Sequence, residues 1–380
     1  MGEGHGGTIR ETTGTEPHAA EAGASTGAES HVRAEIRGSL GVVTLDRPRA
    51  INALSHRMII DVQRVLDDWA DDDRVRQVLV TGAGERGLCA GGDIVELVAA
   101  LRAGDLAEVA DYWADEYRLD AFTARSPKPV VALQAGIVLG GGIGVSGHAR
   151  HRVVTDGSRL GMPETAIGFA PDVGGLWLLS RAPGELGAYA ALTGAHFEPG
   201  DAVLLGLSER YVPAERIDEL VARLERESAD EVLDDLATEP PAGPLEAARG
   251  WIDDAFSAST AREVVERLRA AGVPDAAACA DLLESRSPFA LEATLAALRR
   301  ARELLSLEAE LDQAYRVSLR AVRRPDFAEG VRAQVIDKDR SPRWSPATLA
   351  EVDLVEVEAL FAPFDDPADE LGLAGRPDAG

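Results

Sequence analysis

The run from Pro129 to Gly175, PVVALQAGIVLGGGIGVSGHARHRVVTDGSRLGMPETAIGFAPDVGG, constrains this chain more than any other. Val130–Leu133 is apolar and short, the pattern of a buried strand. Gly140, Gly141 and Gly142 follow it and open a helix. Two carboxylates come next, Glu164 in PETAIG and Asp172 in PDVGG, both set among apolar and glycine residues. Backbone donors at a helix start, facing acids in an apolar setting, are the parts of an acyl-transfer site.

LGGGIG could pass for a dinucleotide fingerprint. That motif needs a βαβ frame and an acid about 20 residues on, and its glycines are spaced. Here the glycines are contiguous, and the position at that distance falls in the PETAIG run. A nucleotide cofactor is therefore set aside.

The pattern on either side is alternating. VRAEI and GVVTL read as strands joined across Gly38–Gly41, a hairpin stopped by Pro48. INALSHRMIIDVQRVLDDWADD is an amphipathic helix, with Met58, Val62, Val65, Leu66 and Trp69 on one face. A strand at VRQVLVTG, a loop running into a helix at GLCAGGDIVELVAAL, a helix over Asp111–Thr123 and short strands at HRVVTD and SRLGMP complete the region. Strand–helix alternation of this kind predicts an α/β core with a largely parallel sheet.

Beyond about Glu215 strand patterns stop and helical periods take over, including ALEATLAALRRARELLSLEAELDQAYRVSLRAV and a last helix over Leu349–Leu360. The chain thus divides into a polar leader (1–32), an α/β core (33–215), an all-helical extension (216–360) and an acidic tail expected to be mobile (361–380). The leader holds His5, His18 and His31 but too little apolar surface to offset ordering entropy.

Charge narrows the partners. The chain has 65 acids against 39 bases, a net charge of −26. That excludes nucleic acid, whose phosphates need a basic face, and disfavours an anionic membrane surface. No apolar run reaches the ~20 residues of a membrane helix. Two cysteines, Cys89 and Cys279, make no disulfide framework and fit a reducing interior. The leader lacks the apolar core of a secretory signal. The expectation is a cytoplasmic enzyme, and a homo-oligomer is an open possibility.

Five motifs occur in order: GVVTLDRPRAINAL, GLCAGGDI, GIVLGGGIG, MPETAIG and PDVGG. Together they resemble the crotonase (enoyl-CoA hydratase/isomerase) superfamily. The resemblance implies a spiral of ββα units that binds an acyl-CoA thioester. It implies an oxyanion hole of two backbone N–H groups, carried here onto Ala90 and Gly141. It also places Arg49 and Ala50, in DRPRAINAL, near the adenosine part of CoA. Lys338, with Arg340, is a further candidate for the CoA phosphates. No metal and no separate cofactor is implied; CoA is part of the substrate.

Hydratases of the superfamily carry one glutamate just after the triple glycine and a second in the PE motif. Here the first position is Gly144, and a new acid, Asp172, stands where hydratases have glycine. With DEY around Glu116, and with SPFAL and DFAEGVRAQVIDKDRSPRWSP in the C-terminal half, the pattern resembles the 3-hydroxyisobutyryl-CoA hydrolase branch. That resemblance implies substrate contacts from Glu116, Gly141, Glu164 and Asp172. Glu164 would attack the thioester carbonyl or activate water. Asp172 would hold the substrate 3-hydroxyl or orient the water, and Glu116 would meet the polar end of the acyl group. A hydratase or isomerase, and a non-catalytic acyl-CoA binder, are the alternatives. Cys89 has no histidine near it in sequence, and His148 and His151 lack metal-ligand spacing; all three read as structural.

Overall fold

The computed structural model describes residue 1 and residues 30–375. His5, His18 and most of the leader lie outside the described residues. The core is a six-stranded sheet in the order β1 (Val32–Arg37), β2 (Leu40–Leu45), β3 (Gln77–Gly82), β4 (Val130–Gln134), β6 (His151–Val154) and β8 (Arg210–Tyr211). Among the described residues, β1 and β2 pair antiparallel in a hairpin, and the other neighbouring strands of this sheet pair in parallel. Parallel strands covered on both faces read as continuous apolar runs. Val43, Leu45, Val78, Val80, Val130 and Ala132 point into the main core. Leu40, Val42, Leu79, Val131, Leu133 and Val153 point the other way, onto Leu220, Leu224, Val232 and Leu236.

A second layer sets the site. β5 (Ile137–Leu139) pairs in parallel with β7 (Arg159–Gly161). On its other side Val138 bridges Cys89. Each turn of the chain therefore crosses the large sheet, crosses this small one, and then enters a helix. These helices are α1 (His56–Ala70), α2 (Ile94–Ala103), α3 (Leu106–Arg125) and α4 (Gly141–Gly147). The arrangement is the crotonase-like spiral, and the C-terminal third is helical.

Local chemistry moves some boundaries. α3 starts at Leu106 rather than Asp111, because Asp105 caps it by accepting from the Glu108 N–H. The stretch over residues 290–322 is two helices, Pro288–Ala301 and Leu307–Ala321, with Ser306 capping the second. The last helix is broken too. Val352 is extended, and the Asp353 side chain accepts from Val355 N–H to restart the helix at Leu354.

The acidic tail departs from expectation. Leu371 and Leu373 are buried, Glu370 pairs with Arg316 at 2.7 Å, and Asp312 accepts from the Leu373 N–H. An Arg–carboxylate pair and two buried leucines hold this acidic segment, up to residue 375, against the Leu307–Ala321 helix. Among the described residues no helix is long and apolar enough to cross a membrane.

Candidate active site

A cavity of about 330 Å³ opens between the small sheet, α3 and the C-terminal helices. Its polar wall brings Glu116 from α3 together with Glu164 and Asp172, and its backbone wall includes Gly91, Gly92, Gly140 and Gly141. The apolar wall comes from Trp113 of α3, Phe169 beyond Glu164, and Phe327 of the Pro325–Val331 helix. Trp113 and Phe169 stack at 5.4 Å, and Phe169 meets Phe327 at 5.3 Å.

The glycines are demanded by space. A Cβ on Gly140, whose φ is +49°, would stand 2.7 Å from Glu164 Oε1. A Cβ on Gly141 would stand 2.6 Å from Glu116 Oε1 and 3.1 Å from the Gly92 amide nitrogen. One on Gly142 would strike the Cys89 carbonyl at 2.5 Å. The triple glycine therefore lets α4 begin against the Cys89–Gly92 loop, with both glutamate side chains beside its first turn.

The expected donor pair needs one correction. The Ala90 N–H is already committed, donating to the Ile51 carbonyl at 2.9 Å. Ile51 is left-handed (φ 49), which aims that carbonyl at Ala90. Gly92 and Gly141, which lie close together on the cavity wall, have amides for which no donated bond is found among the described residues. Gly92 is fixed on both flanks: Gly91 O accepts from Leu54 N–H, and Asp93 N–H donates to Leu54 O. Asp93 itself caps α2 and pairs with Arg47 at 2.5 Å.

The acids are buried: Glu116 is 3%, Glu164 7% and Asp172 8% exposed. Glu164 Oε2 and Glu116 Oε1 have no hydrogen-bond partner among the described residues. Burial first, and then the charge of Asp172, holds Glu164 well above the usual carboxylate range. Glu116 is raised likewise, by burial and then by Asp172 and Glu164. Asp172 is pushed up to about 6 by burial, against a hydrogen bond from Tyr117 Oη at 2.8 Å that favours its charged form. The Asp172 loop is strained: Val173 has φ 48, where β-branched residues are rare, and His148 Nε2 lies 2.8 Å from the Val173 carbonyl. Burial lowers His148 to about 4, so it is a neutral donor there.

The helical region holds Glu164 from behind. Glu164 opens a short 3-10 helix that ends at Gly168, where a Cβ would strike the Asp326 carbonyl at 2.5 Å. A Cβ on Gly330 would meet the Ile167 carbonyl at 2.4 Å. Asp326, 2% exposed, accepts from Ser287 Oγ and from the Ser345 N–H.

Other predicted residues lie elsewhere. Arg49 is exposed, and its carbonyl accepts from Arg86; neither it nor Ala50 reaches the cavity wall. Lys338 is exposed with φ 57, three residues past Val335, which does line the cavity. Cys89 is fully buried, and burial pushes its thiol up to about 12, which weighs against a nucleophilic role. No group of three or more His, Cys, Asp or Glu among the described residues is arranged to hold a metal.

A family model described as enoyl-CoA hydratase/isomerase matches residues 40–361. A Gallus gallus protein named 3-hydroxyisobutyryl-CoA hydrolase, mitochondrial, is 36% identical over 89% of this chain and 90% of its own. The Homo sapiens protein of that name is 37% identical over 86% and 87%. Among solved structures, a carnitinyl-CoA dehydratase from Mycobacterium thermoresistibile is 48% identical, with TM-score 0.87 over 92% of this chain and 100% of that one. An enoyl-CoA hydratase from Rhodobacter sphaeroides 2.4.1 is 41% identical, with TM-score 0.85 over 90% and 99%.

Proposed function

Because this chain belongs to the enoyl-CoA hydratase/isomerase family, we propose that it hydrolyses a short 3-hydroxyacyl-CoA thioester, with 3-hydroxyisobutyryl-CoA, an intermediate of valine breakdown, as first substrate and 3-hydroxypropionyl-CoA as second. The observation that carries this reading is that one cavity wall holds Gly92, Gly141 and Glu164, with Glu164 Oε1 2.7 Å from where a Cβ on Gly140 would stand and its Oε2 unpartnered among the described residues. The thioester oxygen sits between those amides, at the start of α4, where backbone donors and helix dipole stabilise developing charge. Glu164 either adds to the carbonyl carbon, expelling CoA thiolate to leave a mixed anhydride that water then cleaves, or takes a proton from the water that adds. In both routes the products are the free hydroxy acid and CoA thiol. Asp172 accepts the substrate 3-hydroxyl or orients the water, and Glu116 closes the polar end of the acyl site. The buried free cysteines suit a reducing compartment such as the cytoplasm.

The names of the two solved structures favour a second reading, reversible hydration on the same fold. Gly144 weighs against it, since it puts no side chain where hydratases hold a glutamate. One assay separates the two. Thiol trapping with 3-hydroxyisobutyryl-CoA, run beside crotonyl-CoA absorbance, is expected to show thiol release and little hydration. Glu164→Gln is expected to abolish release while CoA-ester binding persists. Crotonyl-CoA hydration without thiol release, or equal turnover in the variant, overturns the assignment.

A further inference from the structure

His56 opens α1, and both of its ring nitrogens meet carboxylates of α3. Nδ1 lies 3.1 Å from Glu108 Oε1, and Nε2 lies 2.9 Å from Asp115 Oδ2. Carboxylates only accept, so both nitrogens must donate, and only the protonated ring carries two N–H groups. The contact geometry thus requires an imidazolium. A neutral ring has to turn a lone pair toward one of the two acids and lose that contact. The charge also stands at the start of α1, where the helix dipole disfavours a cation. It is held there by α3.

This clamp leads to the donor pair. Glu108, Tyr112 and Asp115 are spaced by four and three residues, so they share one face of α3. The His56 and Tyr112 rings lie 5.8 Å apart. Tyr112 Oη donates at 3.0 Å to the carbonyl of Leu54, two residues before His56. Leu54 is the residue that fixes both flanks of Gly92. The Tyr112 hydroxyl also fills the space beside Gly92, where a Cβ would stand 2.5 Å from Oη. Leu54, His56, Tyr112 and Gly92 therefore form one connected set of contacts, and Tyr112 and Gly92 line the cavity.

The neighbouring charges are engaged. Arg118 of α3 pairs with the second Asp115 oxygen at 3.0 Å, and Arg57 turns to Asp61 at 3.0 Å. Burial pushes the Tyr112 hydroxyl well above its ordinary range, so it stays a donor. Burial also disfavours the charged His56 ring, but the hydrogen bonds to Asp115 and Glu108 outweigh it and hold the ring above its ordinary value.

We propose that His56 is a positioning residue of the hydrolase site: as an imidazolium it clamps α1 to α3, which seats Tyr112 against Gly92, and loss of its proton loosens the Gly92 donor. The kinetic side rests on the hydrolase reading; the link from the ring to Gly92 does not, so the two fail separately.

The test follows the His56 ring and the Gly92 amide by NMR, in protein labelled at histidine and glycine, from about pH 5 to pH 9, beside thiol release from 3-hydroxyisobutyryl-CoA. His56→Gln assigns the ring signal. In the wild type the Gly92 amide is expected to shift with the same midpoint as the ring. On the alkaline side of that midpoint kcat is expected to fall about tenfold with KM little changed, short of the roughly hundredfold for outright loss of an oxyanion donor. Asp115 is not on the cavity wall, and Asp115→Asn removes one charged partner of the ring. It is expected to lower all three midpoints together, by roughly one unit. His56→Gln cannot ionise and is expected to lose the alkaline step and run at the lower rate throughout. A Gly92 amide that ignores the titration of the ring overturns the proposal. So does an alkaline limb that stays in place while Asp115→Asn moves the ring. Should the wild type release no thiol, the hydrolase reading fails, and the Gly92 titration alone decides the clamp.

Discussion

Tyr117 Oη donates to Asp172 Oδ2 at 2.8 Å and stands 2.9 Å from Ser318 Oγ. The tyrosine belongs to α3, the aspartate to the loop after Phe169, and the serine to the helical C-terminal third. One hydroxyl thus ties three distant stretches at the acid expected to meet the substrate hydroxyl.

Removing that hydroxyl gives the first prediction. The bond favours the charged form of Asp172, which burial pushes up to about 6 even with the bond in place. In Tyr117→Phe the group needs a higher pH to ionise, so the acid limb of kcat/KM moves to higher pH. A hydrogen bond to a charged group is worth about 1.5–3 kcal/mol, roughly one to two pH units, so turnover near neutrality should fall about two- to fifteenfold. A pH–rate profile of the variant checks this, and an unmoved acid limb contradicts it.

Gly141 is a second test, of the donor pair. Gly141→Ala puts a methyl 3.1 Å from the Gly92 nitrogen and 2.6 Å from Glu116 Oε1, in the space assigned to the thioester oxygen. Loss of oxyanion donation costs about a hundredfold to a thousandfold in kcat. Overpacking alone costs about 1–3 kcal/mol in stability. Steady-state kinetics beside thermal melting separate the two; a folded variant with near-normal kcat removes Gly141 from the reaction. By contrast Ala90→Gly, whose amide is taken by Ile51, should change kcat only slightly.

Much of this arrangement is legible in the residues, for physical reasons. β4 sits between two packed faces, so its apolar run announces itself; the spacing of Met58, Val62 and Leu66 does the same for α1. Glu164 and Asp172 stand out because their neighbours are apolar. What the sequence hides is commitment of backbone donors. Whether the Ala90 or the Gly92 amide is available turns on the left-handed carbonyl of Ile51, about forty residues upstream in the chain, and no local pattern reports it. Glu310 and Phe327 were out of reach, because only the tertiary fold brings the C-terminal helices onto α3 and the Glu164 turn.

Glu310 carries a stability prediction with a definite sign. Burial, then the charge of Asp172, raises it to about 8, above its ordinary 4.5. The folded state then binds more protons than the unfolded one between those values, so stability falls as pH rises through that window. Glu310→Gln mimics the neutral acid. It should melt with the wild type near pH 4, and become progressively more stable than it from about pH 5 to pH 8. Melting curves across this range check the sign; a variant less stable at pH 8 than the wild type contradicts it.

Phe327 sets the last prediction. It closes the apolar side of a cavity of about 330 Å³ and meets Phe169 at 5.3 Å. Truncation to alanine enlarges the acyl end without touching the Gly92, Gly141 or Glu164 groups, at a cost of about 3–5 kcal/mol in stability. Phe327→Leu is the milder change and keeps more of the packing. Both should raise kcat/KM for a longer acyl chain, such as hexanoyl-CoA, relative to 3-hydroxyisobutyryl-CoA. The ratio should shift by roughly tenfold, the scale of one or two methylenes in an apolar pocket. Competition between the two thioesters, followed by thiol release and acid product, measures it. An unchanged ratio in the folded Leu variant would mean that the acyl chain ends before it reaches the C-terminal helices.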